Sequence, residues 1–249
     1  MLISEIYQSR QGEGSLTGTE SVFVRTSGCN LRCDFCDTPF TSWSPEGQKM
    51  SVPQIVAQVL NEHSADHVVI TGGEPMLPRD MPELCAALSQ GGKHITIETA
   101  GTIFQELDCD LISISPKLSN STPPESRAGE WMRRHEATRF RPEIVRRLID
   151  RHDYQLKFVI DQPADIDSII DYLKYVQPIR SDRVMLMPQG IDLETLNEKA
   201  EWIDPICREH GFTYCPRRHI EWYGNKRGCL LYTSPSPRDQ RGSRMPSSA

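Results

Sequence analysis

The chain has 249 residues, 37% of them hydrophobic, enough for one large α/β domain or two small ones whose core needs no disulfide support. Its formal net charge of −6 argues against a general nucleic-acid binder, which would present a basic face. No apolar run of about eighteen residues is present, so no membrane-spanning helix is expected; the first residues carry no basic, apolar leader, and the cytoplasm is the expected compartment.

In chain order, Ser21–Thr26 reads as a strand leading into a cysteine-rich loop. Beyond that loop Val52, Ile55, Val56, Val59 and Leu60 recur at helical spacing behind Ser51, a good N-cap residue. His67–Thr71 is a buried strand ending at Gly72-Gly73, Met81–Leu88 a helix, and His94–Glu98 and Leu111–Ser115 are strands. Pro142–Asp150 reads as a helix and Gln155–Ile160 as a strand, and Ile166, Ile169, Ile170 and Leu173 mark an amphipathic helix. Val184–Met187 is a strand and Leu193–His210 a helix, with a last strand expected near His219–Trp222.

This alternation implies an α/β fold, an open, partial (β/α) barrel of about six parallel strands. Functional residues of such folds gather at the C-terminal ends of the strands. Gly72-Gly73-Glu74, Glu98-Thr99, Ser115-Pro116-Lys117 and Pro188-Gln189 all fall at such ends and are expected to share one mouth. Residues 1–228 read as one domain, in which the polar stretch Leu118–Arg141 is an insertion suited to a lid. The Ser-, Pro- and Arg-rich segment 229–249 reads as a disordered, non-native tail.

Cys29, Cys33 and Cys36 carry the strongest signal, a Cys-x3-Cys-x2-Cys loop that presents three thiolates to one compact metal centre. Three ligands suit an iron–sulfur cluster with one open iron better than structural zinc, which takes four. The alternatives from another class are a non-catalytic protein whose zinc knuckle is completed by a distant Cys or His, and an iron–sulfur electron carrier.

The loop, with Phe35 before its last cysteine, and the downstream Thr71-Gly72-Gly73-Glu74-Pro75 resemble the radical S-adenosylmethionine superfamily. Within it the chain resembles the 7-carboxy-7-deazaguanine synthase family from Ile6 to about Gly228. The resemblance rests on Arg10-Gln11-Gly12-Glu13-Gly14, Arg25, Cys36-Asp37-Thr38, Glu98-Thr99-Ala100-Gly101, Ser115-Pro116-Lys117 and Arg218-His219-Ile220-Glu221. It implies a lyase that makes 7-carboxy-7-deazaguanine from 6-carboxy-5,6,7,8-tetrahydropterin, with loss of ammonia, on the route to queuosine. Also implied are a [4Fe-4S] cluster on Cys29, Cys33 and Cys36, S-adenosylmethionine, Mg²⁺ on Thr38, a homodimer, and an electron donor such as flavodoxin.

By position, Phe35, Cys36, Asp37, Gly73, Glu74, Ser115, Pro116, Lys117, Pro188 and Gln189 are expected around S-adenosylmethionine. Arg10, Gln11, Gly12, Arg25, Thr71 and Glu98 are expected around the pterin. Radical chemistry of this kind asks no side chain to act as a strong acid or base. A glycyl-radical-type activase shares the cysteine loop and the glycine segment, but it leaves Gln11–Gly14 and Cys36-Asp37-Thr38 without a role.

Overall fold

A computed structural model describes residues 1–224; the expected tail at 229–249 and its junction at Gly228 lie outside the described residues. Among the described residues nine strands form one sheet in the order β3-β1-β2-β4-β5-β6-β7-β8-β9. In chain order these are β1 (Leu2–Arg10), β2 (Glu20–Thr26), β3 (Gln48–Lys49), β4 (His67–Gly72), β5 (His94–Thr99), β6 (Leu111–Ile114), β7 (Tyr154–Ile160), β8 (Val184–Pro188) and β9 (Thr213–Tyr214). Neighbours from β2 to β9 are parallel, whereas β1 pairs antiparallel with β2 and with β3. The six parallel strands read from the sequence are thus the centre of the sheet, and the edges are additions.

The helices are α1 (Pro39–Ser42), α2 (Val52–Glu62), α3 (Met81–Gln90), α4 (Glu125–Ala128), α5 (Glu130–Arg139), α6 (Pro142–Ile149), α7 (Asp165–Tyr175), α8 (Leu193–His210) and α9 (Arg218–Tyr223). Ser51 and Gln54 close a capping box at the start of α2, and Asp192 accepts from the Thr195 amide at the start of α8. The segment at 218–223, expected as a strand, is helical. It is under two turns long, so its Ile, Trp and Tyr suggest a strand while tertiary contacts decide otherwise.

Period-two alternation sorts each strand into two faces. Val22, Val24, Val68, Ile70, Ile95, Ile97, Ile112, Ile114, Leu156 and Phe158 join the main core with α2, α3, α6 and α7. The residues between them, Arg25, Thr71, Glu98, Ser113, Lys157 and Val159, line a cavity on the other face. One face therefore stabilises the sheet while the other supplies chemistry.

Candidate active site

The cavity has a volume of about 560 Å³, within the range of small-molecule and cofactor sites. All three loop cysteines line it, as do all the other expected site residues except Glu74 and Pro116, both of which are buried behind it. Expected contributions from four strand ends do meet here. The Gln11–Gly14 segment arrives differently: Arg10 pairs with Glu20, so the chain leaves β1 at the end where the parallel strands begin. Gln11, Gly12 and Glu13 then turn inward to form part of the cavity wall.

Cys29, Cys33 and Cys36 lie on the irregular loop between β2 and α1, with Phe35 between the last two. Burial pushes the Cys29 thiol up to about 12, with further pressure from Glu74 and the other two cysteines. Burial likewise pushes Cys33 up to about 12, while Lys117 opposes it. The Cys36 sulfur lies 3.1 Å from the Ser42 hydroxyl and 3.9 Å from that of Thr38. Among the described residues, no three His, Cys, Asp or Glu side chains converge as they would around a single ion. Three thiols that open to one cavity, with the pKa values of Cys29 and Cys33 raised in part by their loop neighbours, fit a cluster with a free corner.

Gly72 and Gly73 bring the next segment against this loop. A Cβ on Gly73 would collide with the Gly28 carbonyl, one residue before Cys29, and that same carbonyl accepts from the Glu74 amide at 2.9 Å. The missing side chain thus admits the protein's own backbone as well as exposing Gly73 to the cavity. Glu74 is fully buried and accepts from Met76 N (3.0 Å), Thr99 Oγ1 (2.7 Å) and Ala100 N (2.9 Å), tying the turn after β4 to the turn after β5. Burial raises its pKa, and the hydrogen bonds from Thr99, Met76 and Ala100 pull it back. Its position in the fold is that of a bracket between two cavity-forming turns. Glu74→Gln turns an amide N–H toward the Ala100 N–H, with an expected cost of about 2 kcal/mol. Thermal melting should fall by about 4–8 °C in a chain of this size.

A lattice of charges occupies another part of the wall. Lys157 Nζ lies 3.1 Å from Glu13 and 3.0 Å from Glu98, and Glu98 also accepts from Thr71 Oγ1 at 2.9 Å. Arg217 joins Glu13 (3.2 Å) to Asp37 (2.5 Å) and donates to the Gly190 carbonyl (2.6 Å). Burial pushes Glu13 up, but Lys157, Arg217 and His219 together hold it well below the usual carboxylate range. Burial pushes Lys157 down, and Glu98 and Glu13 outweigh it to raise its pKa. Arg25 donates to Glu5 (2.7 Å) and to the Tyr7 hydroxyl (2.6 Å), which fixes its guanidinium at the cavity edge.

Other expected residues also carry local bonds. Lys117 donates to Ser115 Oγ at 2.7 Å, Gln11 donates to Ser21 Oγ at 2.9 Å, and the Gln189 side chain accepts from Lys199 at 3.2 Å. Thr38 is the N-cap residue of α1, but its hydroxyl makes no capping bond. Arg10 lies at the rim with its guanidinium 4.5 Å from the Trp222 ring centre.

Lys157 and Arg217 were not among the expected site residues, and Glu13 and His219 entered only as motif members. A signal for Lys157 was present: Gln155 and Lys157 are polar on alternate positions of an otherwise apolar strand, and both turn inward. Gly12 shows why His219 belongs here. A Cβ on Gly12 would stand 2.5 Å from the His219 ring, and the Arg218 amide donates to the Gly12 carbonyl at 2.9 Å. The insertion 118–141, expected as a lid, contributes no lining residue and packs against the cysteine loop.

Residues 23–154 match the model of the radical SAM superfamily. The 7-carboxy-7-deazaguanine synthase of Rhodopirellula baltica is 44% identical over 229 residues, covering 92% of this chain and 88% of that protein. That of Halobacterium salinarum is 44% identical over 227 residues, covering 88% of each. The crystal structure of QueE from Escherichia coli superposes with a TM-score of 0.61 at 23% identity, covering 86% of this chain and 92% of that one. The cysteine loop, its glycine bracket and the inward charge lattice therefore sit in a radical SAM fold, and by its sequence relatives the chain belongs to the 7-carboxy-7-deazaguanine synthase family.

Proposed function

We propose that this chain converts 6-carboxy-5,6,7,8-tetrahydropterin to 7-carboxy-7-deazaguanine with loss of ammonia, on the route to queuosine. The observation that carries this reading is one cavity lined both by three loop thiols and by an ordered set of charged hydrogen-bonding groups. In this reading Cys29, Cys33 and Cys36 hold a [4Fe-4S] cluster, and Phe35, Asp37, Gly73, Ser115, Lys117, Pro188 and Gln189 face S-adenosylmethionine. The chemistry that the cluster and S-adenosylmethionine supply when bound is hydrogen-atom abstraction from the substrate.

The side chains bind and orient. Arg25, pre-set by Glu5 and Tyr7, suits a substrate carboxylate because a planar guanidinium grips it with two parallel bonds. Glu98, held by Thr71 and Lys157, suits the donor-rich amino-pyrimidine edge of a pterin. Gln11, Gly12 and Arg10 complete that wall, and Glu74 and Pro116 act from behind it. Thr38 supplies a hydroxyl for Mg²⁺, a hard ion that keeps most of its waters. A homodimer in the cytoplasm, reduced by a flavodoxin-type donor, completes the reading.

The test is an anaerobic assay of the reconstituted, reduced full chain with S-adenosylmethionine, Mg²⁺ and the carboxypterin, followed by mass spectrometry. The expected products are 5′-deoxyadenosine and 7-carboxy-7-deazaguanine. Deoxyadenosine without the deazaguanine would overturn the substrate assignment, and an intact cluster yielding neither would overturn the reaction. Omitting Mg²⁺ should lower the rate if Thr38 has the role given to it.

A further inference from the structure

The insertion between β6 and β7 is bonded closely to the cysteine loop. The Arg32 amide donates to His135 Nδ1 at 3.1 Å, and the Asp34 amide donates to the Ser121 carbonyl at 2.9 Å. These are the two amides on either side of Cys33. Arg127 adds bonds to the Asp34 carbonyl (2.8 Å) and carboxylate (2.7 Å). Arg32 lays its guanidinium 3.9 Å from the Trp131 ring centre while holding the carbonyls of Cys29 (2.8 Å) and Leu31 (2.7 Å).

Both His135 and Ser121 are fully buried. A backbone N–H can only donate, so His135 Nδ1 carries no proton and the neutral ring bears its hydrogen on Nε2. Nε2 then donates to Ser121 Oγ at 3.0 Å, and that hydroxyl donates to the Leu118 carbonyl at 2.6 Å. Every bond in the relay runs in a consistent direction. The cysteine loop itself is irregular, with a Cys36 N to Cys33 O bond of 3.4 Å, so bonds from outside it weigh heavily in setting its shape.

We infer that His135, seated by Ser121, is a positioning residue that grips the chain around Cys33 and holds the cysteine loop in the geometry that retains the cluster. The inference rests on the reading that this loop carries the cluster. Groups one step behind metal ligands orient those ligands, and losing one weakens metal retention by roughly ten- to a hundredfold.

The experiment uses the full chain as native protein, His135→Leu, His135→Asn and Ser121→Ala, each reconstituted anaerobically. Three quantities are read: thermal melting without the cluster, exchange of the Arg32 and Asp34 amides without the cluster, and the rate of iron loss to a chelator. His135→Leu should expose the Arg32 amide to exchange and speed iron loss by roughly ten- to a hundredfold. His135→Asn, whose side-chain oxygen can accept near the Nδ1 position, should recover most of that loss. Ser121→Ala, which unseats the ring but keeps the acceptor, should fall between them.

Loss of iron at the native rate in a folded His135→Leu chain overturns the inference, as does an Asn variant no better than the Leu variant. If His135→Leu does not fold, native-like iron retention in Ser121→Ala overturns it instead. Failure of the native chain to take up iron would overturn the cluster reading itself and this inference with it.

Discussion

Cys33→Ala yields no 5′-deoxyadenosine above background and no iron–sulfur absorption after reconstitution, while the chain still folds. Cys33 is partly exposed to the cavity and belongs to no apolar core cluster, so removing its sulfur opens little core volume. In the proposed reading, what is lost is a cluster ligand. Cys29 and Cys33 have thiols pushed up to about 12, so cluster binding must displace their protons, and iron uptake should weaken as pH falls. Among the described residues the remaining cysteines cannot substitute. Cys85 and Cys207 lie in the main core, Cys215 is buried beside Met185 and Met187, and Cys109 contacts His152 at 3.6 Å. Alanine at those four positions should leave the iron content unchanged. Iron analysis with absorption spectra of each variant is the measurement, and a full cluster in Cys33→Ala would refute the ligand set.

The parts of the fold legible in the sequence are those where one physical demand dominates. The strands from β2 to β8 bury one whole face, so runs such as Val68–Ile70 and Ile95–Ile97 declare themselves by hydrophobicity alone. β1 escaped notice because Glu5 and Tyr7 turn to the cavity while their neighbours Ser4, Ile6 and Gln8 are only half-buried, which blurs the alternation. The helix at 218–223 is fixed by partners distant in sequence: Arg10 stacks over Trp222, and Gly12 accepts from Arg218.

In the site, the residues of the cysteine loop were legible because three cysteines at short spacing have few structural explanations, and all three do line the cavity. Glu74 was read toward the cofactor because a motif shows which residues occur together, not which way each side chain points. Lys157 and Arg217 were missed for a related reason. A charge on a strand or loop looks solvated until the tertiary structure brings Glu13, 144 and 204 residues away, against it.

Lys157→Met shows what that lattice contributes. The substitution keeps the length and apolar stem but removes the cation shared by Glu13 and Glu98. Breaking a buried pair by removing one partner costs about 3–5 kcal/mol. Here the lower end is expected, because Glu98 retains 31% side-chain exposure and Glu13 keeps Arg217. Three kcal/mol corresponds to a melting decrease of about 6–12 °C.

The pH dependence follows from both partners. Glu13, depressed in the folded chain, adds stability above its ordinary value of 4.5 and loses it as pH falls below that toward its folded value. Lys157, raised in the folded chain, adds stability below its ordinary value of 10.5 and loses it as pH rises through its folded value. The melting difference between native and Lys157→Met chains should therefore be flat between about pH 7 and 10 and shrink on the acid side, first as His219, 3.8 Å from Glu13 and relieved of the Lys157 charge that lowers its pKa, protonates in the variant, and then as Glu13 does. Turnover should fall about a hundredfold, because Glu98 loses the ammonium that fixes its position in the proposed substrate wall. Melting curves across pH, paired with product formation at saturating S-adenosylmethionine, measure both effects. A variant that melts and turns over like the native chain would mean that the lattice orients nothing.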